Sequence, residues 1–151
     1  MRIAHLSIMA SAALVSFVAG SSALISAQTP APARTAPLFP LSERDLTSTR
    51  QTGCECSFRA GRSTLMQMIG NEVTLRTRAG RQVCRINDTQ FATLSEARSA
   101  PLACAGLRLS LRRTGRVTTN LESDSADGPA SLTVGQGRTR RTLAGRWGCA
   151  C

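Results

Sequence analysis

Cys54, Cys56, Cys84, Cys104, Cys149 and Cys151 are the side chains with the most obvious chemistry in this 151-residue chain. Four of them form two C-x-C groups, Cys54-Glu55-Cys56 and Cys149-Ala150-Cys151. Four thiolates so arranged, with Met66 and Met68 as thioether donors, could capture a soft metal such as Cu(I) or Zn²⁺. An even cysteine count in a small exported domain reads instead as three disulfides. Spacing favours the second reading, because structural zinc sites separate their cysteines by two to four residues rather than one. In a strand, residues i and i+2 point the same way with Cα atoms about 6.5 Å apart, so a C-x-C pair is badly placed to bridge itself. Setting the two C-x-C strands antiparallel pairs Cys54 with Cys151 and Cys56 with Cys149. Cys84 and Cys104 then close the loop that contains Pro101. The expectation is three cystines, no bound metal and no cofactor.

The residues that are missing narrow the function further. All 19 basic residues are Arg, there is no Lys or Tyr, and the only His is His5. An uncharged apolar run from Leu6 to about Ile25 follows Arg2, and Ile25-Ser26-Ala27 offers a small-residue cleavage site, the layout of a signal peptide over residues 1–27. The competing reading is an uncleaved anchor, since the run is long enough to span a bilayer. Cleavage leaves 124 residues with 18 Arg against nine carboxylates and no His at all. Ser-His-Asp, Ser-Lys and Cys-His catalysis are then unavailable, as are H-E-x-x-H and His-rich metal sites. Only Arg, Cys, Ser/Thr and carboxylate chemistry survives, and the chain is expected not to be an enzyme. A hydrolase relying on two carboxylates is the remaining catalytic alternative.

Two local patterns invite function. Cys56 to Ser63 matches C-x5-R-S, the phosphate-holding loop of Cys-dependent phosphatases, but that loop must run from a strand into a helix N-terminus. Here the residues that follow alternate like a strand and contain Gly70. Glu122, Asp124 and Asp127 could line a weak Ca²⁺ loop, yet the full EF-hand pattern is absent and Ser, Asp and Gly are ordinary turn formers.

The elements that must position these residues are strands. Cys54, Cys56 and Phe58 alternate with polar neighbours, as do Val73 with Leu75, Leu107 with Leu109 and Leu111, and Leu132 with Val134. Val117, Thr119 and Leu121 continue the pattern, and Leu143, Gly145, Trp147 and Cys149 share a last face. Glycines at 61, 70, 80, 115, 128 and 137 punctuate the chain at intervals near ten residues. The pattern predicts an all-β fold, a small antiparallel barrel or sandwich of about seven to eight short strands, stapled by disulfides. Its core is expected to hold Phe58, Leu65, Ile69, Val73, Leu75, Ile86, Phe91, Leu107, Leu109, Leu111, Leu132, Val134, Leu143 and Trp147. Residues 28–52, rich in Pro, read as a linker in which Ser42 and Asp45 could cap a helical turn. The β domain is placed at residues 53–151.

Charge suggests a partner. A net +9 on the mature chain attracts polyanions, and Arg forms two-pronged contacts with phosphate and carboxylate. Arg108, Arg112, Arg116, Arg138, Arg140 and Arg141 are the candidate anion-binding residues. In a periplasmic or secreted protein the partner would be an anionic lipid, a glycolipid or a cell-wall polymer. Nucleic acid is not expected, because the compartment is wrong and exposed aromatics for base stacking are lacking. Membrane contact through the chain itself would need the export segment to stay uncleaved. The function read from the sequence is therefore a non-enzymatic binding or structural module for an anionic envelope component, with soft-metal capture through the C-x-C groups as the alternative.

Overall fold

The computed structural model describes residues 38–47 and 52–151; the export segment expected at residues 1–27 lies outside them. The elements are α1 (Glu43–Thr47), β1 (Glu55–Ala60), β2 (Ser63–Ile69), β3 (Glu72–Thr77), β4 (Gly80–Arg85), α2 (Asp88–Ser95), β5 (Ala100–Cys104), β6 (Leu107–Arg113), β7 (Thr118–Asn120), β8 (Ser125–Gln136) and β9 (Thr139–Ala150). Eight strands pair antiparallel in the order β4-β3-β2-β1-β9-β8-β6-β5 and curl into a nearly closed barrel. The fold is all-β, in the barrel form of the two architectures the alternation allowed.

The alternation sets the inside of the barrel. Phe58 faces Met66 on one side and Trp147 on the other, and Trp147 in turn faces Gly128. Val73, Leu75, Leu109, Leu111, Leu132 and Val134 continue the same inner surface, and all are buried. Small residues make room for the large ones. A Cβ on Gly145 would lie 2.7 Å from Phe58 Cζ and collide with the Arg59 carbonyl oxygen, so only Gly lets β9 pass beneath the Phe58 ring.

The two sulfur ladders serve different purposes. Cys56 sits directly opposite Cys149 in the β1–β9 pairing, and the bridges Cys56–Cys149 and Cys54–Cys151 form successive rungs at one end of it. Strands β4 and β5 terminate the hydrogen-bonded order without pairing to each other. Cys84–Cys104 crosses that seam, with Cα atoms 5.7 Å apart, about the spacing of paired strands. A covalent bond thus closes the barrel where backbone hydrogen bonds do not. Three disulfides point to an oxidising, extracytoplasmic environment.

The barrel has two unlike ends. Four two-residue hairpins, Gly61-Arg62, Arg78-Ala79, Ala105-Gly106 and Gly137-Arg138, turn at one of them, the hairpin end. Across the other end lies α2, which links the two seam strands and buries Leu94. Trp147 Nε1 donates to the Ser95 carbonyl at the C-terminal turn of α2, 3.2 Å away. This helix is missing from the strand-only reading. Its signal was present: Asn87 and Gln90 form a capping box, each side chain accepting from the other's backbone N–H.

Two other expectations need amending. Val117, Thr119 and Leu121 do not extend the core: β7 is exposed throughout, and Leu121 is 93% accessible. The reason is position, since β7 pairs with Ser125–Asp127, beyond the point where β6 leaves β8 at Arg113–Ala130. Ile69, Phe91 and Leu143 are only half-buried, whereas Met66 and Met68 lie fully inside. Pro101, inside the segment that Cys84–Cys104 closes as expected, lies on seam strand β5, where a missing N–H disturbs no pairing on the open side.

Residues assigned to the linker also pack on the barrel. Phe39 N donates to the Arg76 carbonyl and Leu41 N to that of Thr64, filling the gap where β2 and β3 splay apart, and Leu38 and Leu41 are buried. The Ser42–Asp45 cap forms: Ser42 N donates to Asp45 Oδ2 at 2.7 Å, and Asp45 N donates back to Ser42 Oγ. Arg76 then clasps Asp45 with both Nε and Nη2, at 2.8 and 3.0 Å.

Candidate anion-binding face

The pairing register divides the six candidate arginines. Arg108 lies opposite Gly135, which lies opposite Arg140, so one row across β6, β8 and β9 reads Arg–Gly–Arg. The next row is Ser110, Thr133 and Thr142, and the one after it is Arg112, Ser131 and Ala144. All nine residues alternate with the buried Leu109, Leu111, Leu132 and Val134, which puts them on the outer surface. Three strands put the Arg108 and Arg140 backbones about 10 Å apart, with a side-chain-free residue between them. Arg108 Nη2 donates to the Gly137 carbonyl at 3.0 Å, which braces that guanidinium beside the hairpin tip and leaves its other donors available. The Thr133 and Thr142 hydroxyls are bonded to one another at 2.9 Å. No carboxylate stands in these three rows.

The other three candidates sit elsewhere. Arg138 is at the tip of the β8–β9 hairpin, next to the Arg–Gly–Arg row. Arg141 pairs with the inward-facing Val134, so it belongs to the inner surface, and it is exposed where the barrel opens at the hairpin end. Arg116 lies in the crossing between β6 and β7, about 25 Å along the chain from Arg108 and toward the opposite end. Arg113, which was not singled out, points inward and donates to the Trp147 carbonyl at 2.6 Å. Burial holds its guanidinium below its usual range.

A second polar feature adjoins this face. Gly148 and Ala150 on β9 form the floor of a groove of about 270 Å³, walled by Glu55, Ser57 and Arg59 of β1 and by Ser125 and Asp127 of β8. Asp127 lies across Gly148, where any Cβ would come within 2.7 Å of its Oδ1. Both of its oxygens are engaged: Arg59 Nη2 reaches Oδ1 at 3.1 Å, and Arg146 Nε reaches Oδ2 at 2.6 Å. Glu55 accepts from Gln67 Nε2 at 2.8 Å. Two carboxylates therefore do share a groove. Asp127 is the centre of a charge clamp that ties β8 to Arg59 of β1 and Arg146 of β9, whereas Glu55 is bonded to the neutral Gln67 of β2.

The tempting motifs resolve locally. Cys56 of the C-x5-R-S pattern is bonded to Cys149, and Arg62-Ser63 turns a hairpin rather than opening a helix. Glu122 and Asp124 lie in the exposed β7–β8 connection, where Asn120 Oδ1 accepts from the Glu122 N–H in a side-chain-closed turn, while Asp127 is held in the clamp. Among the described residues no group of three His, Cys, Asp or Glu is placed to hold a metal ion. Every cysteine is bridged. Comparison with known protein families, curated proteins and solved structures finds no match for the chain.

Proposed function

We propose that this protein is a non-enzymatic binding module, periplasmic or secreted, that holds an anionic envelope component against the outer face of β6, β8 and β9. The observation that carries this reading is the Arg108–Gly135–Arg140 row. Two guanidiniums flank a glycine, a row of hydroxyls lies beside them, and no carboxylate stands in these rows; Asp127, farther along the same face, is held by Arg59 and Arg146. Such a surface offers forked donors to phosphate or carboxylate groups, with hydroxyls able to complete the contacts.

The test is isothermal titration of the full chain with two polyanions, inorganic polyphosphate and polygalacturonate. Arg108→Gln with Arg140→Gln should weaken binding by about tenfold or more per arginine, the usual loss for a charge-assisted hydrogen bond. Unchanged affinity in the double variant refutes the assignment of this face. The alternative, soft-metal capture through Cys54, Cys56, Cys149 and Cys151, requires two bridges to be reduced first. Thiol counting on exported protein separates the two: no free thiol agrees with a binding module, while several thiols with bound Cu(I) or Zn²⁺ agree with capture.

A further inference from the structure

The charges are sorted along the barrel axis. Three of the four hairpin tips carry an arginine, Arg62, Arg78 and Arg138, and the fourth is Ala105-Gly106. In the strand order these tips join β3 to β4, β1 to β2, β8 to β9 and β5 to β6, so they follow one another around the whole rim. Arg108, Arg140 and Arg141 stand within three residues of the same rim. Among the described residues none of these six arginines has a carboxylate within ion-pair distance. Acidic residues collect at the other end. Glu55 and Glu72 begin their strands there, Asp88 opens α2 and Glu96 follows it, Glu122 and Asp124 lie beyond β7, and Asp127 is near the start of β8. Two carboxylates remain near the hairpin end, Glu43 and Asp45 on α1, and Asp45 is taken by Arg76.

From this ring we infer that the barrel docks end-on, hairpin tips first, against an anionic lipid bilayer. The inference rests on the proposed anion-binding function and names its partner and orientation. A ring of tips at one end of a barrel meets a plane with all its guanidiniums at once, whereas a linear polymer could engage only one row of them. The tips contain only Gly, Ala and Arg, with no aromatic or large apolar side chain to enter the hydrocarbon. Attachment is therefore by charge at the headgroup level and is reversed by salt.

The experiment is co-sedimentation of the full chain with vesicles of phosphatidylglycerol and phosphatidylcholine at 3:7, with pure phosphatidylcholine vesicles reporting any contribution from the apolar run. Arg62→Gln with Arg138→Gln is compared with Arg85→Gln plus Arg98→Gln, an equal loss of charge at the helix end. The tip variant should lose about 25-fold in the salt-sensitive affinity, about fivefold per arginine. The helix-end variant should stay within about threefold of the parent. Equal losses in the two variants, or none in either, overturn end-on docking. Binding of soluble polyphosphate without salt-sensitive binding to the charged vesicles also overturns it, while leaving the anion-binding module in place. Failure to bind either probe removes both readings together.

Discussion

At the scale of single residues, two glycines on β9 make opposite predictions. Beneath Gly145 lie the Phe58 ring and the backbone of β1, neither of which can move without opening the β1–β9 pairing. Gly145→Ala should cost about 3 kcal/mol or more, read from urea unfolding. Gly148 faces the outer surface, and what a Cβ there would meet is the Asp127 side chain, which can turn aside by loosening its exposed contacts to Arg59 and Arg146. Gly148→Ala should cost about 1 kcal/mol or less. Asp45 is the residue that links stability to pH. The hydrogen bonds from Arg76, and then those from Ser42, hold its carboxyl well below the usual carboxylate range, although burial works in the other direction. Its folded value lies below its unfolded one, so the stabilisation is complete above about pH 4 and is lost progressively as the pH falls below that. Thermal midpoints measured from pH 6 to pH 2 should fall less steeply for Asp45→Asn than for the parent.

At the scale of elements, the bridges are not equivalent. Cys54–Cys151 and Cys56–Cys149 close nearly the same loop, with separations of 97 and 93 residues. Once one is formed, the other closes only a short ring. From loop-closure entropy, replacing either pair with Ser should cost about 2 kcal/mol, but replacing both should cost about 7 kcal/mol. Guanidinium unfolding of the two single-bridge variants and the double variant checks this non-additivity. The seam bridge closes 20 residues, and its loss should cost about 3 kcal/mol. It should also promote association, because β4 and β5 then present free edges. The sequence revealed the sulfur pairing because strand alternation leaves an antiparallel pair of C-x-C strands one economical solution. It concealed the role of Cys84–Cys104, since nothing local says that β4 and β5 end the sheet on either side of a gap.

For the molecule as a whole, few large side chains fill the barrel: among the described residues Phe58 and Trp147 are the only fully buried aromatics. Covalent closure compensates for that thin filling. Reduction of all three bridges should unfold the domain at 37 °C. The single tryptophan, fully buried beside Phe58 and bonded to the end of α2, should report this as a red shift in emission. If emission stays blue after complete reduction, the apolar core alone is sufficient. Charge also acts at this scale. The net excess of arginine was plain from composition, but its concentration at the hairpin end depends on which turns share an end.

What the sequence determined by itself follows from short-range regularity. Alternation with period two made strands of Cys56 with Phe58 and of Leu107 to Leu111, glycine placement cut the strands to length, and the lack of His, Lys and Tyr after residue 27 limited the chemistry. Tertiary structure alone decided the rest. It separated Arg116 from Arg108, brought Arg140 across Gly135 from Arg108, turned Arg141 inward and gathered Arg62, Arg78 and Arg138 onto one rim. The physical reason is that a one-residue change of register flips a side chain to the other face. Register is set by pairing between strands that can be far apart in the chain, which periodicity within one strand does not encode.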